Sequence, residues 1–205
     1  MNGDSTQPTH NEWAVIILAA GRSSRMGRAK QLVEVDGESM VRGAVKVALA
    51  TQANQVVLVT GAYADAVVAE IVDLVEKSFG RLQFVHNGAW TVGQATSMQT
   101  GLRALGDRCG AAIFFPVDQP YMPPLLLAQL AAAWQAGARI VAPRVDGELR
   151  GAPALFDRTI WPELQQVKGD VGARGILRAH TDIVQTIDAP AAWLRDLDTP
   201  EDLAG

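Results

Sequence analysis

The 205-residue chain is expected to form one α/β domain, a doubly wound and mostly parallel sheet with helices on both faces. Three observations predict it. Short apolar runs rich in β-branched residues recur along the chain, as buried strands do. Between them lie segments whose apolar residues repeat at helical spacing. The connections are short, and strand–helix alternation of this kind marks a parallel sheet covered on both sides.

Residues 1–11 are polar and lack the regions of a signal peptide, so a flexible tail is expected before a single domain spanning 12–205. Residues 13–19 are the first strand. Ser39 caps a helix that buries Val41, Ala44, Val45, Ala48 and Leu49. The run QVVLVT at 55–60 is a second strand, followed by a helix over about 65–78 with Val67, Ile71, Leu74 and Val75 on one face. Residues 82–85 form a third strand. After the Asn87-Gly88 turn, Thr96 or Ser97 opens a helix that buries Met98, Leu102 and Leu105. AAIFFPV at 111–117 is a central strand. Pro123 and Pro124 suit the first turn of the next helix, whose apolar face holds Leu127, Leu130, Ala131 and Trp134. Residues 139–143 are a further strand. From 145 to 172 the alternation breaks: a D-G turn leads to a hairpin-like strand at Ala154-Leu155-Phe156, expected to be antiparallel, and the stretch from Gly169 to Arg174 opens a short helix.

Composition narrows the function. A net charge of -4 argues against nucleic acid as a partner, and no apolar run is long enough for a membrane span. A cytoplasmic protein is expected. Cys109 is the only cysteine and precedes an apolar run, which suits a buried structural thiol; the three histidines lack metal-ligand spacing. A small anionic ligand on a local basic loop fits this charge balance.

Residues 18–32, LAAGRSSRMGRAKQL, supply such a loop: Arg22, Arg25, Arg28 and Lys30 with no acidic residue between them. Gly21 and Gly27 let backbone N–H groups approach an oxyanion, and the cations bring the charge a triphosphate needs. Composition alone would equally allow a solvated basic turn. The order is neither G-x-G-x-x-G nor a P-loop. At the end of the central strand stands Asp118, on the sheet edge where ligands bind. Alone it reads as a residue opening the turn into Gln119-Pro120; opposite a phosphate loop it becomes a Mg²⁺ ligand.

The loop resembles L-A-[AG]-G-x-S-x-R-M-G-x-x-K-x-L, the signature of nucleotidyltransferases with a Rossmann-like NTP-transferase domain. Its fixed positions are Leu18, Ala19, Ala20, Gly21, Ser23, Arg25, Met26, Gly27, Lys30 and Leu32. Four further blocks resemble the family: Asn87 through Trp90, Gly93 and Ser97 to Leu102; Gly151-Ala152-Pro153 to Phe156; Gly169 to Arg174; and Asp196 to Leu203. Taken whole, the chain resembles the molybdopterin cytidylyltransferase group. That resemblance implies a three-layer αβα domain transferring CMP from CTP (GTP being the alternative donor) to a phosphorylated acceptor, foremost molybdopterin, with release of pyrophosphate. A molybdoenzyme receiving the product is an implied partner.

The resemblance also implies roles. Arg25, Lys30 and Asp118 would be catalytic. Leu18, Ala19, Ala20, Gly21, Arg22, Ser23, Met26, Gly27, Asn87, Gly93 and Ser97 would bind nucleotide. Asp118 and Asp198 would hold Mg²⁺, although Asp198 reads equally as a cap or turn residue. Gln119, Pro153, Asp170 and Arg174 would face the acceptor. Val117 and Ala152 depart from the family, which often has Gly and His there. Rival readings are a sugar- or polyol-phosphate acceptor, or a chaperone that binds the cofactor without chemistry.

Overall fold

The computed structural model describes residues 10–24 and 26–203. Strand β1 (Glu12–Ala19) is followed by the signature loop and a small hairpin of β2 (Glu34–Val35) and β3 (Glu38–Ser39). The hairpin turns through Asp36 and Gly37, at φ of 54° and 82°, the left-handed pair such a turn requires. Helix α1 (Met40–Leu49) starts where the Ser39 hydroxyl accepts the Arg42 N–H. Then come β4 (Gln55–Thr60), α2 (Ala64–Ala69), α3 (Val72–Lys77), β5 (Leu82–His86), α4 (Gln94–Arg103) and β6 (Cys109–Pro116). The second half contains α5 (Pro124–Gln135), β7 (Ile140–Val145), β8 (Glu148–Leu149), β9 (Ala154–Asp157), α6 (Trp161–Leu164), α7 (Arg174–Ala179) and β10 (Val184–Asp188).

The main sheet has eight strands, seven in the order β10-β7-β9-β6-β1-β4-β5, with β8 paired to β7. β1 lies parallel to both β4 and β6, whereas β9 runs antiparallel to β6 and β7. The expected antiparallel insertion is therefore present. Alternate residues of β1 feed two cores. Trp13, Val15 and Ile17 pack with α1, α2, α3 and α5, while Ala14 and Ile16 pack with α4, α6 and α7. This is the expected three-layer α/β architecture. Gly101 of α4 makes the second layer tight, because a Cβ there would lie 2.4 Å from Ile16 Cγ2.

Three local expectations change. The helix expected over 65–78 is two helices, and the break is held from outside: Arg42 donates to the Glu70 carbonyl (2.8 Å) and Ser39 to its carboxylate (2.8 Å). Helix α4 begins at Gln94, before Thr96 and Ser97, because the Asp170 carboxylate accepts the Gln94 N–H (3.0 Å) and the Gly169 carbonyl accepts that of Ala95 (3.0 Å). β10 was not foreseen; it pairs in parallel with β7 at the sheet edge. Of the residues expected to form a tail, 1–9 lie outside the described residues, and the His10 ring bonds the Asp107 carbonyl at 2.7 Å.

Candidate active site

β1 leads to β4 on one side and receives β6 on the other, so a crevice opens at the carboxyl ends of β1 and β6. The loop after β1 supplies Lys30, and the turn after β6 supplies Asp118. The C-terminal segment returns to the same place, where the Leu197 N–H donates to the Asp118 carbonyl at 2.9 Å. Lys30 Nζ donates to Asp118 Oδ2 at 2.5 Å and to Asp198 Oδ1 at 2.8 Å. Burial alone would lower the Lys30 pKa, but the two carboxylates outweigh it and raise it, so the ammonium stays charged. Asp198 is aimed by its own turn: Asp202 Oδ2 accepts the N–H groups of Asp198 (2.9 Å) and Thr199 (2.8 Å). Asp202 thus caps this turn.

Two cavities meet at this triad. The larger, about 520 Å³, is bounded by Leu18, Ala20, Gly21, Arg22, Ser23 and Ser24 on the loop side, and by Trp90, Thr91, Gly93, Ser97, Pro116 and Val117 opposite. The loop is held by Gln31, which is 1% exposed. Its amide donates to the carbonyls of Ala19 (2.9 Å) and Gly21 (2.7 Å), and its Oε1 accepts the Ser23 hydroxyl (3.3 Å). Those bonds satisfy one carbonyl at the end of β1 and one in the loop beyond it. Ala20 is braced from behind, since a Cβ on Gly61 would lie 2.8 Å from the Ala20 methyl.

The second cavity, about 310 Å³, shares Lys30, Asp118, Asp170 and Asp198 with the first and adds Gln119, Arg150, Gly151, Ala152, Arg174 and Asp196. Gln119 Nε2 donates to Asp196 (2.9 Å) and, at 3.4 Å, to the Ala152 carbonyl, while its Oε1 is buried without a partner. Asp196 has a raised pKa, chiefly from lost hydration and further from the charges of Asp118 and Asp198, against the opposing Gln119 bond.

The structure gathers most of the site residues expected from sequence. Leu18, Ala20, Gly21, Arg22, Ser23, Gly93 and Ser97 line the larger cavity; Gln119 and Arg174 line the smaller one, and Asp170 lines both. Others sit elsewhere. Arg25 lies outside the described residues. Met26 is packed in the core, Ala19 is buried with its carbonyl on Gln31, and Gly27 turns the chain at φ 68°. None of these three lines either cavity. Asn87 is also off the lining because its side chain is used internally: it donates to Thr96 (2.8 Å) and Ser97 (2.9 Å) and accepts the Ala89 N–H (3.0 Å). Pro153, joined by a cis bond to the cavity-lining Ala152, is buried and lines neither cavity. Sequence reasoning missed Gln31, which falls at a variable position of the signature, together with Arg150 and Asp196.

Among the described residues no cluster of three or more His, Cys, Asp or Glu could hold a metal. The Asp118–Asp198 pair nevertheless fits Mg²⁺, which binds through one or two carboxylates plus substrate phosphates. Asp118 Oδ1 supports the fit, being buried with no hydrogen-bond partner. Cys109 is no nucleophile, since burial pushes its thiol pKa up to about 12.

Comparison with known proteins shows which family the chain is similar to. A curated relative, the nicotine blue oxidoreductase of Paenarthrobacter nicotinovorans, is 29% identical over 198 residues, covering 92% of this chain and 93% of its own. The molybdenum cofactor guanylyltransferase of Rhizobium leguminosarum bv. trifolii (strain WSM2304) is 28% identical over 207 residues, covering 95% and 91%. The crystal structure of Rv0371c from Mycobacterium tuberculosis H37Rv superposes with a TM-score of 0.80 at 25% identity, covering 96% of each chain. Residues 15–184 match the model of the MobA-like NTP transferase domain. The chain belongs to this MobA-like family of nucleotidyltransferases.

Proposed function

We propose that the protein transfers a nucleoside monophosphate, CMP from CTP foremost, to a phosphorylated acceptor, foremost molybdopterin, and releases pyrophosphate. The observation that carries this reading is Lys30 bridging Asp118 and Asp198 where the two cavities meet. The larger cavity would take the donor, with loop N–H groups on its outer phosphates and Arg22 beside them; Arg25 belongs to the same proposal as a phosphate cation. An acceptor phosphate oxygen in the smaller cavity forms the new bond to the α-phosphorus. The bond from the α-phosphorus to its bridging oxygen breaks, and pyrophosphate leaves with the electron pair. A phosphate nucleophile is already anionic, so no side-chain base is needed. Mg²⁺ held by Asp118 and Asp198 would neutralise charge on the phosphates. Lys30 turns from the carboxylates to the phosphates and stabilises the departing charge. Gln119 Oε1, buried and without a partner, suits a hydrogen-bond donor on the acceptor.

The choice of CTP is supported by the sequence resemblance and by Ala20, which lines the donor cavity at a position where a glycine would leave more room for a purine. Molybdopterin is supported by the sequence resemblance and by the relative named a molybdenum cofactor guanylyltransferase. The test is to supply CTP, Mg²⁺ and molybdenum cofactor and measure pyrophosphate and a cytidylylated product by mass. Binding without pyrophosphate would leave a chaperone; release with GTP alone would keep transfer and correct the base. A second reading, oxidoreduction, is favoured by the similarity to the nicotine blue oxidoreductase. Hydride or electron transfer has no use for a lysine-bridged carboxylate pair. Reduction of nicotine blue by a nicotinamide reductant, with no pyrophosphate from any donor, would establish it instead.

A further inference from the structure

Beyond the smaller cavity lies a hollow of about 280 Å³ bounded by Leu149, Arg150, Gly151, Arg174, Leu177 and Arg178. Half of its wall is cationic and none of it is acidic. Arg150, Gly151 and Arg174 also line the smaller cavity, so the hollow continues the space that begins at Asp118 and Asp198. Gly151 permits the junction: a Cβ there would lie 2.5 Å from Arg174 Cγ and 2.7 Å from its Nε, so the arginine stem lies directly across the glycine.

The other arginines show how unusual this cluster is. Arg42, Arg108, Arg144 and Arg158 pair with carboxylates, and Arg81, Arg139 and Arg195 bond carbonyl or hydroxyl oxygens. No ion pair or hydrogen bond is made by the guanidinium of Arg150, Arg174 or Arg178 to any other described residue. Among the described residues, the other arginines whose guanidiniums are in that condition are Arg22 and Arg28 of the donor loop and Arg103. A chain with 22 acidic and 18 basic residues has carboxylates to spare. Three guanidiniums sharing one hollow repel each other, and an oxyanion relieves that repulsion with charge-assisted hydrogen bonds.

We infer that this hollow is a distal oxyanion subsite of the acceptor site. The second substrate then carries, besides the phosphate that attacks, another anionic oxygen group on the side away from the nucleotide: a phosphate, a carboxylate or, in a molybdenum cofactor, the oxo oxygens on the metal. The inference rests on the transferase reading, because it treats the smaller cavity as the acceptor's.

The test uses the full chain with ¹⁵N-labelled arginine and two probes, inorganic phosphate and acetate, following the side-chain Nε–Hε signals. Saturable shifts at Arg150, Arg174 and Arg178 are expected, with one oxyanion bound in preference to the other. Arg178→Gln should weaken binding roughly ten-fold, the loss of one charge-assisted hydrogen bond. Arg178 and Arg150 are exposed, so neither Arg178→Gln nor Arg150→Gln removes core packing, and both should act alike. Unsaturated, linear shifts at the three arginines with both probes, or undiminished binding in both variants, would overturn the subsite. Arg22 serves as the internal reference. Saturation there but not in the hollow defeats the subsite alone, whereas failure of CTP to perturb Arg22 defeats the transferase reading.

Discussion

The larger and smaller cavities, proposed above for donor and acceptor, share Lys30, Asp118, Asp170 and Asp198 yet are built in opposite ways. One wall of the donor cavity comes from a single loop, through residues 18, 20–24, 30 and 31, and is tied by the buried Gln31. The acceptor cavity is assembled from the turn after β6, the segment 150–152, the start of α7 and the C-terminal return, held by long-range bonds such as Gln119 to Asp196. A site made from contiguous chain can be conserved as a motif; one made from distant segments can vary piece by piece. The first suits a reactant common to a family, and the second suits one that differs among its members.

Substitutions can break this contrast, and those at the shared triad should be largest. Asp118→Asn keeps shape but removes charge, and turnover should fall by about three orders of magnitude while metal-free nucleotide binding changes little. Near-normal turnover would remove Asp118 from the metal site. For Lys30→Ala the expected loss is about 10²–10³-fold in transfer, the scale of removing one preorganised charge-stabilising donor. A change confined to the acceptor KM would show that Lys30 serves only the second cavity.

Gln31→Ala separates the two sides. It strands the Ala19 and Gly21 carbonyls, at a cost of about 1–3 kcal/mol in stability, and should raise the donor KM about ten-fold with the acceptor KM unchanged. Gln31→Glu should fare no better, since it sets a carboxylate against two carbonyls. Equal rises in both KM values would mean that the loop is not a donor-only structure.

Much of this was legible in the sequence, for reasons the same contrast explains. Strand β1, the cap at Ser39 and the donor loop are local, so periodicity and the signature found them. The start of α4 was misplaced because its cap, Asp170, lies 76 residues away. Similarly, the interruption between α2 and α3 is stabilised by Ser39 and Arg42 of another element. Asn87 reads as a pocket residue in the motif, but its amide is consumed in holding Thr96 and Ser97. The acceptor side gave few signals, since Arg150 and Asp196 acquire meaning only beside Arg174 and Gln119.

Smaller effects sharpen the donor side. Ala20→Gly should narrow the CTP-over-GTP preference by about ten-fold in competition assays, toward the low end of the roughly 1–3 kcal/mol by which one methyl discriminates. An unchanged ratio would take base selection away from Ala20. Arg28→Ala should change transfer by less than about two-fold, as for a solvated charge. A loss comparable with Lys30→Ala would replace a specific site with a diffuse cationic patch.

The central claim is that Asp118 and Asp198 form a cation site that Lys30 occupies until nucleotide phosphates draw it away. Electron paramagnetic resonance of Mn²⁺ with the full chain tests this most directly, because it reads metal binding without turnover. Weak Mn²⁺ binding alone, marked tightening with CTP, loss of that tightening in Asp118→Asn, and stronger nucleotide-free binding in Lys30→Ala are expected. Tight binding to the unmodified chain without nucleotide, or CTP-linked binding undiminished in Asp118→Asn, would contradict it.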